Sequence, residues 1–329
     1  MNSAPLRERT EPRQRAGYIL ALTATVFLSF TGILIAAISR RHQAPALVIA
    51  IWRDVFTFGA LAIFLAFRAP RLLRIDGADL AFLIANGGVL AIFNIFWTLS
   101  VVRNGAAAAT LLAYSSGGFT VLLSVAIFGE KAGIAKLLAV IGAFAGAALV
   151  SGLFSGAVKG AEGVGILLGL ASGLAYAAYS LVGKGASIRG ISPWTTVCYS
   201  FGIAALFLLG ARIALSGLLP SSATGPGQLL LPGRAFEAWL LLLLLAFAPT
   251  ALGFGLYNAS LAHLPAGTAN LIATSEPVFT GIMAFFLLGE RFDRFALLGA
   301  ALILGSVLLL SIVEGRVWKP RKDAIRRRT

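Results

Sequence analysis

The chain has 329 residues, 58% of them hydrophobic and 12% charged, with a mean hydropathy of +0.89, a formal net charge of +14 and a pI near 10.9. Soluble globular domains carry about 25% charged residues, so composition excludes an ordinary soluble enzyme and any disordered or fibrous class. One cysteine, Cys198, and two histidines, His42 and His263, leave neither a disulfide framework nor a metal-ligand cluster.

A membrane-spanning helix needs about 20 predominantly apolar residues, set by a rise of about 1.5 Å per residue against about 30 Å of hydrocarbon. In chain order the sequence predicts ten: 17–38, 45–67, 79–101, 105–128, 133–153, 163–183, 194–215, 236–258, 266–288 and 295–313. The longest connection, 216–235, is broken by Pro220, Gly225, Pro226, Gly227, Pro232 and Gly233 and has no room for a soluble domain. Helices are expected because every backbone amide must be paired where water is absent, and the turn spacing does not suit barrel strands. The expected fold is an all-α integral membrane protein of ten transmembrane helices. The first sixteen residues resemble the charged start of a signal peptide, but the following apolar stretch is long enough to be an uncleaved first span.

The basic residues lie mostly outside these spans. With the N-terminus in the cytoplasm, cytoplasmic segments hold eighteen Lys and Arg, the opposite side eight, and Arg53 lies within a span. The positive-inside rule then places both termini in the cytoplasm. The tails dominate this count, since the internal loops alone give seven against eight. The terminal Arg326, Arg327 and Arg328 read as a topology signal and a contact for anionic membrane lipids, and no nucleic-acid partner is expected.

The chain repeats itself. Residues 100–149 align without gaps on 260–309: Ser115 with Ser275, Phe119-Thr120 with Phe279-Thr280, Gly129-Glu130 with Gly289-Glu290. A weaker match places Gly17, Leu20 and Leu22 on Gly165, Leu168 and Leu170. The organisation is a basic tail 1–16, a five-helix repeat 17–157, a second five-helix repeat 158–314 and a basic tail 315–329. Five is odd, so the second repeat enters the membrane with opposite orientation. In secondary transporters, inverted repeats place the substrate near the midplane between the halves, and rocking gives alternating access.

The stretch Thr274-Ser-Glu-Pro-Val-Phe, then Leu287-Leu-Gly-Glu-Arg and Leu298-Gly-Ala-Ala-Leu-Ile, resembles the ninth and tenth spans of the EamA-like branch of the drug/metabolite transporter superfamily. The resemblance covers nearly the whole chain. It implies a carrier in the bacterial inner membrane, often an exporter, for amino acids or related small metabolites. Where the second half has Glu276-Pro277, the first has Ser116-Gly117, so the halves are not chemically equivalent.

Few residues inside the spans can carry chemistry. Glu276 lies about 15 Å into the ninth span, where a carboxylate costs about 2.5 to 3.5 kcal/mol on insertion scales and should face protein or water. It is a candidate for proton coupling, or a structural group at the helix distortion that Pro277 imposes. Arg53 and Asp54 are adjacent, and adjacent helical residues do not face each other, so no simple salt bridge between them is expected. Arg53 is a candidate for a substrate carboxylate, or it snorkels beside Trp52 as an aromatic anchor. Polar and aromatic stripes mark further faces: Asn86, Asn94 and Trp97 on the third span; Thr110 and Tyr114 on the fourth, matched by Asn270 and Thr274 on the ninth; Tyr176 and Tyr179 on the sixth; Tyr257 on the eighth. They line a cavity or join helices by hydrogen bonds. Glu130 and Glu290 precede helix starts, where negative charge is favourable, and read as caps. The glycine pairs 142/146 and 169/173 read as close helix contacts.

Together these features predict a secondary carrier that exports or equilibrates amino acids or related metabolites through a central cavity. It needs no cofactor and no metal, and the sequence leaves monomer or homodimer open. An organic-cation exporter is the alternative within transport. A membrane enzyme on lipid-linked substrates lacks an evident constellation. No Walker-type phosphate loop is present to draw on ATP.

Overall fold

The computed structural model describes residues 11–42, 44–129, 133–150, 163–214, 236–288 and 294–317. The two expected caps, Glu130 and Glu290, most of both basic tails and the connection 216–235 lie outside the described residues. All regular structure among the described residues is helical. In order, the helices are α1 (Glu11–Leu28), α2 (Phe30–His42), α3 (Ala46–Arg68), a 3-10 turn (Pro70–Leu73), α4 (Gly77–Ala113), α5 (Ser116–Phe128) and α6 (Ile134–Val150). The second half follows with α7 (Gly163–Ile188), α8 (Pro193–Ala214), α9 (Phe236–Leu245), a π-helical turn (Ala246–Phe254), α10 (Gly255–Leu261), α11 (Ala266–Ala273), α12 (Glu276–Leu288) and α13 (Arg294–Val317).

Seven stretches of the described residues are long and apolar enough to cross a membrane, and 134–149 and 297–309 are shorter apolar helices. The ninth expected span is divided into α11 and α12. The third and fourth form one continuous helical run, α4, where a turn was expected near Asn104 and Gly105. This run doubles back on itself. Ser100 Oγ and the Leu112 side chain both lie within 3.0 Å of where a Cβ on Gly169 would be, yet twelve residues of straight helix would separate them by about 18 Å. Only a glycine at 169 leaves space for both arms.

Helices equivalent under the repeat meet antiparallel. On α6 and α13, a Cβ at Gly146 would lie 2.6 Å from the Gly299 carbonyl oxygen, while Gly142, further from the end of α6, faces Ser306. Likewise Gly117 faces Leu271 whereas Gly267 faces Val121. Contacts also recur across the repeat: Leu28 packs on Gly253, and their equivalents Tyr176 and Phe93 meet with ring centroids 5.2 Å apart.

Among the described residues, four of the spans are interrupted. At Tyr114–Ser115 and at the equivalent Thr274–Ser275, the amides bond three residues back: Ser115 N–H donates to Leu112 O at 3.1 Å and Ser275 N–H to Ile272 O at 3.0 Å. Pro277 explains the second break, since it has no N–H for the Ala273 carbonyl; Gly117-Gly118 tolerates the first. In the eighth span Pro249 deprives Leu245 O of its donor, and the Thr250 hydroxyl replaces it at 2.7 Å. Such repairs are required where no water can satisfy the freed carbonyl. A fourth irregularity, at Ser29, separates α1 from α2 and leaves the Ser29 carbonyl to accept from Thr280 Oγ1 at 3.1 Å.

Candidate functional site

A cavity of about 490 Å³ opens between the halves, at the level of the helix breaks. The first half contributes Thr31, Gly32, Arg53, Phe93, Asn94, Trp97, Thr110 and Tyr114; the second contributes Tyr176, Phe254, Glu276, Pro277, Thr280 and Gly281. Seven of the residues singled out in the sequence therefore share one wall system: Arg53, Asn94, Trp97, Thr110, Tyr114, Tyr176 and Glu276.

Arg53 and Asp54 correct the expectation drawn from helix geometry. Arg53 Nε donates to Asp54 Oδ1 at 2.9 Å, and Nη2 lies 2.8 Å from the same oxygen. Neighbouring Cβ atoms diverge on a helix, but the arginine side chain is long enough to curl back, and without water both charges need the contact. Asn94 completes the group: its Oδ1 accepts from Arg53 Nη2 at 3.2 Å, and its Nδ2 donates to Asp54 Oδ2 at 3.4 Å. Phe201 lies under the guanidinium at 5.8 Å. Arg53 is 7% exposed and does not snorkel; Trp52 instead packs edge-on against Trp239 at 5.2 Å. Nε and Nη2 are committed to Asp54 and Asn94, and the residue also borders the cavity.

Glu276 opens α12 and is half-buried in the cavity wall. Among the described residues its carboxyl has no hydrogen-bonding or ionic partner. The surrounding rings of Phe93, Trp97, Tyr114, Tyr176 and Phe254 give the cavity an aromatic lining around one unpaired acid and one paired cation.

The remaining candidates lie outside this cavity. Asn86 donates to Ser200 Oγ at 2.8 Å and ties α4 to α8. Tyr257 and Asn270 belong to a buried hydrogen-bond network: Tyr257 Oη donates to Ser180 Oγ at 2.7 Å, Asn270 Nδ2 donates to Ser180 Oγ at 2.9 Å and Ser116 Oγ donates to Asn270 Oδ1 at 3.0 Å; beside it, Asn258 Nδ2 donates to Tyr179 Oη at 2.9 Å. Thr274 is buried at the helix break and bonds to the Leu271 carbonyl. Tyr176 joins the two regions, its ring facing the cavity and stacking at 6.1 Å on Tyr257. Beyond the network, Lys184 Nζ donates to Leu261 O at 2.7 Å and Leu264 O at 2.9 Å, closing the end of α10.

The network and the cavity are related by the repeat. At the shifts that align the halves, Tyr179, Ser180, Tyr257, Asn270 and Ser116 correspond to Thr31, Gly32, Trp97, Thr110 and Glu276. Every residue of the second set lines the cavity, and every residue of the first is at most 1% exposed. Sequence reasoning missed Thr31, Gly32 and Thr280; for the first two the signal available was Ser29, Thr31 and Gly32 close together inside an apolar span.

Residues 15–152 and 163–312 each match the model of the EamA-like transporter family. An uncharacterized transporter of Archaeoglobus fulgidus is 30% identical over 226 residues, 67% of this chain and 74% of that protein. An uncharacterized transporter of Clostridium kluyveri is 23% identical over 89% of this chain and 93% of its own length. The uncharacterized inner membrane transporter YhbE of Escherichia coli is 29% identical over 48% of this chain and 46% of its own. A solved crystal structure superposes with a TM-score of 0.73 at 17% identity, covering 93% of this chain and all of that one, a likeness of fold alone. With both repeats matched over most of its length, the chain belongs to the EamA-like transporter family.

Proposed function

We propose that this transporter is a secondary carrier in a bacterial inner membrane, with both termini cytoplasmic, that moves amino acids or related small metabolites by alternating access between two inverted repeats, and that it is not an enzyme. The observation that carries this reading is the repeat relation between an open cavity and a closed network. Exchanging the conformations of two inverted halves would close Thr31, Gly32, Trp97 and Thr110 and open Tyr179, Ser180, Tyr257 and Asn270, giving the second access state. In the proposed orientation the cavity faces away from the cytoplasm, towards the end carrying Arg41 and Glu237, which pair at 2.8 Å.

A zwitterion suits the wall chemistry, its ammonium meeting Glu276 and aromatic faces and its carboxylate reaching Arg53. Glu276, an acid with no cation opposite it, would exchange a proton for the substrate. An organic-cation exporter is favoured by one specific observation: Asp54 already neutralises Arg53, leaving Glu276 as the unpaired charge.

Purified protein in liposomes, offered labelled amino acids and organic cations with and without a pH gradient, tests both readings. Flux of amino acids above empty liposomes is expected, and flux of organic cations alone would select the second reading. No flux for either class would overturn the carrier assignment. Glu276→Gln should abolish accumulation driven by the pH gradient while leaving downhill exchange; full pH-driven accumulation in that variant would refute proton coupling.

A further inference from the structure

A second hollow lies on the outer surface of the bundle, away from the central cavity. It is a groove of about 1180 Å³ between α3, α4 and α8. It follows α4 from Leu80 to Ile95 and α8 from Tyr199 to Ala214, fifteen residue steps on each helix and so about 22 Å. Small residues form its bed, and no atom lies within 4 Å of where a Cβ on Gly210 would be. Exposed Phe58, Ile84 and Phe207 form its walls. Nothing in the wall could hydrogen-bond a polar solute along most of this length, so the groove suits an extended hydrocarbon chain.

One end of the groove has a different chemistry. There Tyr199 Oη donates to Leu73 O at 2.7 Å and Thr195 Oγ1 to Leu72 O at 2.8 Å, fixing the 3-10 turn against the start of α8. That turn and its flanks carry Arg68, Arg71 and Arg74, all exposed. The nearby acids are otherwise engaged: Asp76 caps α4 by accepting from the Asp79 amide at 2.7 Å, and Asp79 pairs with Arg189 at 3.4 Å. An apolar slot ending at an arginine cluster is complementary to a molecule with a long tail and an anionic head.

We propose that this groove is a binding site for one anionic phospholipid of the bilayer, with an acyl chain along α4 and α8 and the headgroup phosphate on Arg71 and Arg74. The site is separate from the transport cavity, so its occupant is a bound lipid and not the cargo. Its place against α3, which carries Arg53 to the cavity, gives lipid occupancy a route to bias the transport states.

The test is native mass spectrometry of the full chain released from micelles supplemented with phosphatidylglycerol or phosphatidylcholine of equal chain length. One phosphatidylglycerol should be retained in preference to phosphatidylcholine. Arg71→Gln with Arg74→Gln, both at exposed positions, should reduce that preference by about fivefold per arginine. Gly210→Leu should fill the bed and lower retention of both lipids, with circular dichroism melting confirming that the variant is folded. Equal retention of the two lipids by the unaltered chain would overturn the proposal, as would a preference untouched by the arginine pair. A protein dimer that masks the groove and excludes lipid would overturn it too.

Discussion

The two faces of Tyr176 present the same five repeat positions in opposite conditions. On one side Thr31, Gly32, Trp97, Thr110 and Glu276 surround open space; on the other Tyr179, Ser180, Tyr257, Asn270 and Ser116 are closed around one another. The chemistry differs as well as the packing. The closed side consists of hydroxyls and amides that satisfy each other, whereas the open side has a carboxyl where its counterpart has the Ser116 hydroxyl. A hydroxyl network can form and dissolve at modest cost, since hydrogen bonds between membrane helices are worth about 0.6 kcal/mol on average. Under the proposed alternating access, the closed side would be held firmly enough to exclude substrate yet weakly enough to open.

The largest expected effect is at the boundary of the open side. Arg53→Met leaves Asp54 buried with no cation and should cost about 3 to 5 kcal/mol, read as a fall in melting temperature in detergent. Adding Asp54→Leu to that variant should recover most of the stability but not transport. If the single variant melted like the parent, the ion pair would not be what braces this wall.

Asn270 bridges Ser116, Ser180 and Tyr257. Asn270→Ala removes three bonds and should shift the closed side towards opening by roughly twentyfold. In a Cys198→Ser background, a polar thiol reagent is expected to label Thr31→Cys quickly and Ser180→Cys slowly. Asn270→Ala should accelerate the second rate and slow the first. Independent rates at the two positions would break the coupling between the faces.

Ser116→Glu places a second carboxyl against Asn270 Oδ1, an acceptor facing an acceptor, and should lower expression and melting temperature more than Glu276→Ser does. Equal effects would mean that the two faces are chemically interchangeable. The smallest effect is expected from Tyr257→Phe, which removes the bonds to Ser180 at 2.7 Å and from Asn270 at 3.4 Å and should slow Thr31→Cys labelling only about eightfold.

Helical periodicity identified polar faces on the third, fourth, sixth, eighth and ninth spans, but it could not tell a face opposed by another helix from one opposed by space. Trp97 and Tyr257 occupy equivalent positions in the repeat, yet one lines the cavity and the other is sealed against Ser180. The Arg53–Asp54 bond was missed for a different reason: the rule for neighbouring residues describes Cβ directions and leaves out how far an arginine can fold back. The doubling back within α4 is also a tertiary fact, visible because Ser100 and Leu112 meet at Gly169.

The sequence by itself determined the solvent, the helical class and the duplication, because apolar length, backbone pairing and self-similarity are properties of the chain alone. It also singled out Arg53, Asp54 and Glu276 among the charged residues inside the spans. Only the tertiary structure decided which equivalent face is open and which is closed. A repeated sequence makes the same positions twice, but which copy meets another helix and which meets open space depends on packing between segments far apart in the chain.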